Sequence, residues 1–166
     1  MEEKGWQEAT DIVTVARKLS GKDIHLLLVG DGTEYDRMLA LELPEYIHLE
    51  GFQRNVRGYF AVADVGFLPS KFRGESFPLV IIECLQAGRP FLASDLGDIA
   101  HMLSSRDGPA GILVQLDGAG INVELWAEKI GNLVSDRRLY DRLRSRVSRQ
   151  KRKLQPSTTP PRRTIR

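Results

Sequence analysis

An α/β fold, built on a parallel sheet with helices on both faces, is the architecture this sequence predicts. Three observations carry that expectation. Short apolar runs with little polar alternation, such as IHLLLVG (24–30), read as strands buried on both faces. Longer segments with helical spacing of apolar residues alternate with them. The joining loops are short, which fits strand-helix units with helices on both faces of a parallel sheet.

The elements follow in order. Ala9, Ile12, Val13, Ala16 and Leu19 recur at helical spacing over 6–19, and Gly21 stops the run. The strand at 24–30 ends in GDG (30–32), read as a tight turn. TEYDRMLALEL (33–43) predicts a helix closed by Pro44, and YIHLEGF (46–52) a second strand. NVRGYFAVA (55–63) predicts a short helix and DVGFLPS (64–70) a third strand. A helix is expected over 78–87, with Pro78 at its first position and Gly88 and Pro90 beyond its end. FLAS (91–94) and GILV (111–114) read as the fourth and fifth strands. VELWAEKIGNLVSD (123–136) and RRLYDRLRSRVSRQKRKL (137–154) predict two closing helices. A domain of this kind usually opens on a strand, and here a helix stands almost at Met1. The expected sheet therefore lacks its first strand.

Composition narrows the function classes. The chain has 166 residues, 42% hydrophobic and 28% charged, which suits a soluble domain with a sizeable core. No apolar run approaches the roughly 18–20 residues of a membrane span, and the polar EEKGWQEATD after Met1 does not read as a secretory leader. The single cysteine, Cys84, excludes an intrachain disulfide and suits a reducing, cytoplasmic setting. The net charge of +2 is uneven, because seven Lys/Arg and no acid lie from Arg149 onward. The body is mildly acidic, so nucleic acid is not an expected partner. The expected organisation is one domain over 1–150 and a basic, Pro/Thr-rich tail over 151–166. The tail reads as solvated disorder, with weak contact to anionic membrane headgroups as the alternative.

The stretch GESFPLVIIECLQAG (74–88) poses the functional question. Glu83 is the one carboxylate in an otherwise apolar run, and a glutamate is rarely buried without a partner. Glu75 stands eight residues earlier, just outside the helix start that Pro78 marks. The first turn of a helix offers free N–H groups and the positive end of its dipole, which suits phosphate. The order along the chain is carboxylate, anion site, carboxylate. A nucleotide-sugar has a matching order of sugar hydroxyls, diphosphate and ribose hydroxyls. Ligands on such sheets bind outside the carboxyl ends of the strands, where this stretch falls. The bland alternatives are an ion-paired helix glutamate at 83 and a helix-start acid at 75. For Lys4, near the start of the chain, it is a solvated lysine.

PSKFRGESFPLVIIECLQAGRPFLASDLGDI, together with EKG (3–5), LLLVGDG (26–32), HLEGF (48–52), ADVGFLPS (63–70) and GILV (111–114), resembles one half of a known fold family. It is similar to the C-terminal, Rossmann-like, nucleotide-sugar-binding half of the retaining GT-B glycosyltransferases of the group 1 type. The resemblance covers about residues 3–150. It implies a hexosyltransferase domain whose co-substrate is a nucleoside-diphosphate sugar, with no other cofactor and no metal. The acceptor, a saccharide or lipid-linked molecule, would be met through an N-terminal half that this chain lacks, so the chain alone is expected to be inactive. Carried over by motif, Glu75 would hold the donor sugar, with backbone at Ser76, Phe77 and Leu79 against sugar and phosphate. Glu83 would bind the ribose diol, Lys4 would neutralise the diphosphate, and backbone near Gly51 and Phe52 would face the base. The family's arginine just before the lysine is not in this sequence, and GDIAHM stands where many members have a glutamate, placing His101 near that position. Two other readings stay open: a non-catalytic nucleotide-sugar-binding module, and a sugar-nucleotide epimerase of the same architecture. The resemblance also implies polysaccharide biosynthesis and a cytoplasmic location, peripheral at the membrane if the tail makes that contact.

Overall fold

The computed structural model describes residues 4–154 except Ser76 and Ala119. Twelve elements alternate over the described residues, five strands and seven helices. They are α1 (Trp6–Ser20), β1 (Leu26–Val29), α2 (Thr33–Leu39), β2 (Ile47–Gly51), α3 (Arg57–Val62) and β3 (Gly66–Leu68). Then come α4 (Leu79–Gln86), β4 (Phe91–Ser94), α5 (Ile99–Leu103), β5 (Gly111–Val114), α6 (Val123–Ser135) and α7 (Arg137–Leu154). α7 runs through the first four residues of the segment read as tail, and 155–166 lie outside the described residues.

All strand pairs are parallel, as the unalternated apolar runs imply. They form two sheets, one of β1 and β2 and one in the order β3-β4-β5. β4 shows how the layers are covered. All four of its residues are buried, yet Leu92 packs into one cluster while Phe91 and Ala93 pack into another. The first cluster sits under α1 and α6, and joins Ile12, Val13 and Ala16 to Trp126, Ala127 and Ile130. Leu26, Leu28, Ile47 and Val114 feed it from the strands. Phe67 meets the Trp126 ring edge-on, with centroids 5.5 Å apart. The second cluster holds Ile81, Cys84 and Leu85 of α4, Ile99, Met102 and Leu103 of α5, and Val147 of α7. Alternating side chains thus send one strand into helices on both faces.

Three local departures from the sequence expectations have physical reasons. α2 ends at Leu39, four residues short of the predicted end. Leu39 is exposed while Leu43 packs against the core, and a continued helix would put both on the same face. Pro78 caps α4 without entering it: its φ of −67° suits a helix, but its ψ of 112° is extended. α5 went unpredicted because it is only five residues long, although Ile99, Met102 and Leu103 show the spacing of a buried helical stripe.

Packing is closest where β3 passes α4. A methyl group added at Gly66 would lie 2.3 Å from Phe91 Cδ2 and 2.5 Å from Cys84 Sγ. The Cys84 thiol is fully buried, and burial pushes its pKa up to about 12. Gly66→Ala should therefore destabilise the domain by about 1–3 kcal/mol in urea titration. Cys84 should stay unmodified by iodoacetamide at pH 8 in native protein, and react only at the rate of unfolding.

Candidate functional site

The carboxyl ends of the strands carry the site. The α1 start, the loop after β3 and the α4 start meet there. Gly5 makes the first junction possible. It sits at φ 75°, and a Cβ on it would lie 1.9 Å from the Pro69 carbonyl oxygen. Only a residue with no side chain fits that approach. It brings Lys4, one residue earlier, over the loop that leaves β3.

There Lys4 Nζ donates to Glu75 Oε2 at 2.5 Å. The Glu75 side chain is 7% exposed and that of Lys4 32%. Ser70 Oγ donates to the same carboxylate oxygen at 3.2 Å, and Ser70 itself is fully buried. A buried carboxylate needs such donors, because an unpaired charge there would cost several kcal/mol. The backbone shapes the approach. Phe72 N–H donates to Ser70 Oγ at 3.2 Å, and Glu75 N–H to the Phe72 carbonyl at 2.9 Å, so the loop turns back on itself. The Phe72 ring lies 5.6 Å from the Lys4 ammonium. Beside this pair Lys71 reaches back to Glu8 on the first turn of α1, a second ion pair across the same junction.

α4 begins just beyond. The N–H groups of Leu79 and Val80 have no carbonyl behind them within the helix. Leu79 and Phe77 are exposed, and Pro78 between them is buried. Glu83 is half-buried one turn into the helix, on the same side as Leu79. Ile81, Cys84 and Leu85 take the opposite side into the core. Among the described residues nothing makes a hydrogen bond or ion pair to the Glu83 carboxylate, which sets it apart from Glu75.

The structure therefore unites Lys4 and Glu75, and puts Phe77, Leu79 and Glu83 on the adjoining helix start. Ser76 lies outside the described residues. Gly51 and Phe52 stand at the carboxyl end of β2. Gly51 has φ 65° and its carbonyl accepts from Gly30 N–H at 2.9 Å, while Phe52 is 65% exposed. His101 lies on α5 and is exposed. Sequence reading passed over Ser70 and Lys71, and the signal for Ser70 was present. It is a small hydroxyl residue at a strand end, five residues before a carboxylate that needs a donor. Nothing local marked Lys71, whose partner is 63 residues away.

Among the described residues no group of three or more His, Cys, Asp or Glu side chains is arranged to hold a metal ion. No helix among them is long and apolar enough to cross a membrane.

Residues 1–136 match the family model described as glycosyl transferases group 1. The chain is 31% identical over 145 residues to an N-acetyl-alpha-D-glucosaminyl L-malate synthase of Bacillus anthracis, covering 82% of this chain and 35% of that protein. It is 42% identical over 96 residues to a phosphatidyl-myo-inositol mannosyltransferase of Mycobacterium leprae, covering 55% of this chain and 25% of that one. The chain thus spans about a third or less of the length of these relatives. The crystal structure of Anabaena HepE in complex with UDP-glucose superposes with a TM-score of 0.71 at 20% identity, over 92% of this chain and 42% of that one. That likeness bears on the fold, which is the expected one of parallel strands flanked by helices. With a family model matched along most of its length, this chain belongs to the glycosyl transferases group 1 family.

Proposed function

We propose that this chain is the donor-binding domain of a hexosyltransferase that moves a sugar from a nucleoside diphosphate to a saccharide or lipid-linked acceptor with retention. The observation that carries the reading is the junction at the strand ends. A buried carboxylate, a lysine and the open first turn of a helix adjoin one another, and a second carboxylate, with no partner among the described residues, lies one turn along.

Each group has a role in that reading. Glu75 accepts hydrogen bonds from the donor sugar's hydroxyls. Its one oxygen is held by Lys4 and Ser70, so the carboxylate is aimed before ligand arrives. Lys4 and the N–H groups at the α4 start stabilise the negative charge that grows on the diphosphate as the glycosidic bond breaks. The side chains of Phe77 and Leu79 are exposed beside those amides, and backbone at 76, 77 and 79 meets sugar and phosphate. Glu83 accepts from both hydroxyls of the ribose. The backbone at Gly51 and Phe52 faces the base. Lys4 and the helix end supply positive charge at the leaving group, so in this reading the donor needs no divalent metal. The acceptor is met by a further α/β half, and this chain alone binds donor without turning it over. The protein acts in the cytoplasm in polysaccharide assembly, and the basic charges of 151–166 would give weak contact with anionic headgroups at the membrane face. HepE, whose complex with UDP-glucose shares the fold, supports a uridine diphosphate sugar as the first donor to try.

Titration calorimetry with UDP, GDP and ADP tests the reading. One of them should bind, and Glu83→Ala should weaken that binding about tenfold or more, the worth of hydrogen bonds to a charged acceptor. A folded sample that binds none of the three at millimolar concentration refutes it. Glu75→Gln should leave nucleoside diphosphate binding within about twofold, and remove the extra affinity the sugar confers. A loss of about 1.5–3 kcal/mol for the nucleotide-sugar alone is the expected difference between the two titrations. Equal losses for UDP and UDP-sugar would place Glu75 outside the sugar site.

A further inference from the structure

β1 and β2 carry a separate cluster of polar side chains at their amino ends, away from the junction of Lys4 and Glu75. Ile24 and Leu26 pack on the first core cluster, and so do Ile47 and Leu49. Successive strand residues point to opposite faces, so His25 and His48 project from the other side of the sheet. The pairing of Leu26 with Ile47 sets His48 diagonally across from His25. His25 Nδ1 and His48 Nε2 are 2.9 Å apart. The ring centroids are 5.2 Å apart and the ring planes differ by 15°. Only rings set edge to edge, nitrogen toward nitrogen, meet both distances. Two bare lone pairs would repel at that separation, so the contact needs a positive centre between them. A proton fills that role, and so can a metal ion.

The surroundings decide which nitrogen offers its lone pair. Asp23 Oδ2 lies 3.4 Å from His25 Nε2, and a carboxylate only accepts. His25 therefore keeps its proton on Nε2 and turns a bare Nδ1 toward His48. Asp23 is itself held in place. Arg17 Nη1 donates to its Oδ1 at 2.6 Å and to the Ile24 carbonyl at 2.6 Å, and the guanidinium lies 4.3 Å from the centroid of the Tyr46 ring just before β2. A carboxylate on the far nitrogen of an imidazole is the arrangement that orients metal-binding histidines. Among the described residues His48 Nδ1 has no hydrogen-bond partner, so it can carry the proton of the other tautomer and leave Nε2 bare.

We propose that His25 and His48 form a two-nitrogen chelate for a divalent transition-metal ion of the Cu(II) or Ni(II) class, with water completing its shell. Bonds of about 2.0–2.1 Å to each imidazole nitrogen, spanning 2.9 Å, meet at the ion at about 90°. That is the angle between neighbouring ligands in a square-planar or octahedral shell. At the same bond lengths a tetrahedral ion such as Zn(II) needs its nitrogens roughly 3.3–3.4 Å apart. To aim at the ion, each lone pair turns about 45° from the line joining the nitrogens, and the imidazole torsion is broad enough to allow it. The His25 side chain is 49% exposed, so an ion reaches it from solvent. Bound there, the ion ties β1 to β2 and stabilises the folded chain. The pair stands at the opposite end of the strands from the α4 start, so this site is independent of the donor site.

The test uses the untagged chain. Titration calorimetry with Ni(II) and with Zn(II) reads the affinity, and Cu(II) electron paramagnetic resonance reads the ligands. One ion per chain should bind, Ni(II) more tightly than Zn(II). The Cu(II) spectrum should show superhyperfine splitting from two nitrogen nuclei. His25→Ala and His48→Ala should each weaken Ni(II) binding about tenfold or more, as loss of one arm of a chelate does. Each should also remove the two-nitrogen pattern. Neither ring lies in the core, so far-UV circular dichroism of both variants should match that of the parent chain. His101→Ala, on α5, should change neither the affinity nor the spectrum. Absence of saturable binding up to about 1 mM Ni(II) overturns the proposal. So does unchanged affinity in either the His25 or the His48 variant, and so does tighter binding of Zn(II) than of Ni(II). Nucleotide titration of the metal-free chain is a separate readout, so failure here leaves the donor site standing.

Discussion

A carboxylate that is almost wholly buried must be met by donors, and Glu75 is met by two that arrive from different parts of the chain. Lys4 comes from the start of α1, Ser70 from the end of β3, and Glu75 from the loop that leads into α4. Two parts of the chain far apart in sequence, the start of α1 and the loop from β3 to α4, are thereby held at one point. The carboxylate could not be kept there if any one of them moved away, because the charge would lose its compensation in a poorly solvated place. The glycine beside Lys4 serves the same requirement, since its lack of a side chain lets the α1 start lie directly on the Pro69 carbonyl. Lys71 and Glu8 repeat the link a few residues away, with both side chains more exposed, and so contribute less.

That junction explains the division of labour along α4. The buried side of the helix, Ile81, Cys84 and Leu85, is fixed in the second core and cannot turn. With that side anchored, Leu79 and Glu83 are left on the side of the helix away from the core. Glu75 is met by Lys4 and Ser70, whereas among the described residues nothing bonds to the Glu83 carboxylate. The two glutamates look alike in sequence but differ in what they still need. The first is oriented before anything binds, and the second has, among the described residues, no donor of its own.

The sheet is the other constraint. Its strands are covered on both faces, so each carries apolar side chains on both sides, and β4 is buried throughout. Such a layer is stable only when its backbone edges are paired or exposed to water.

Much of this was legible in the sequence. Apolar periodicity located all five strands and six of the seven helices, because burial on two faces or along one stripe leaves a direct trace in residue order. The glutamate spacing, the proline before α4 and the flanking motifs singled out the stretch that forms the site and pointed to its family. What the sequence left undecided depended on contacts between distant residues. It could not show that Lys4 pairs with Glu75 or that Lys71 turns back to Glu8, because no local pattern encodes a partner more than sixty residues away. Nor could it show that α2 stops at Leu39, where core packing of Leu43 outweighs helix propensity. Propensity and periodicity act between neighbours in the chain, while the charge compensation of a buried carboxylate and the closure of a sheet act between neighbours in space.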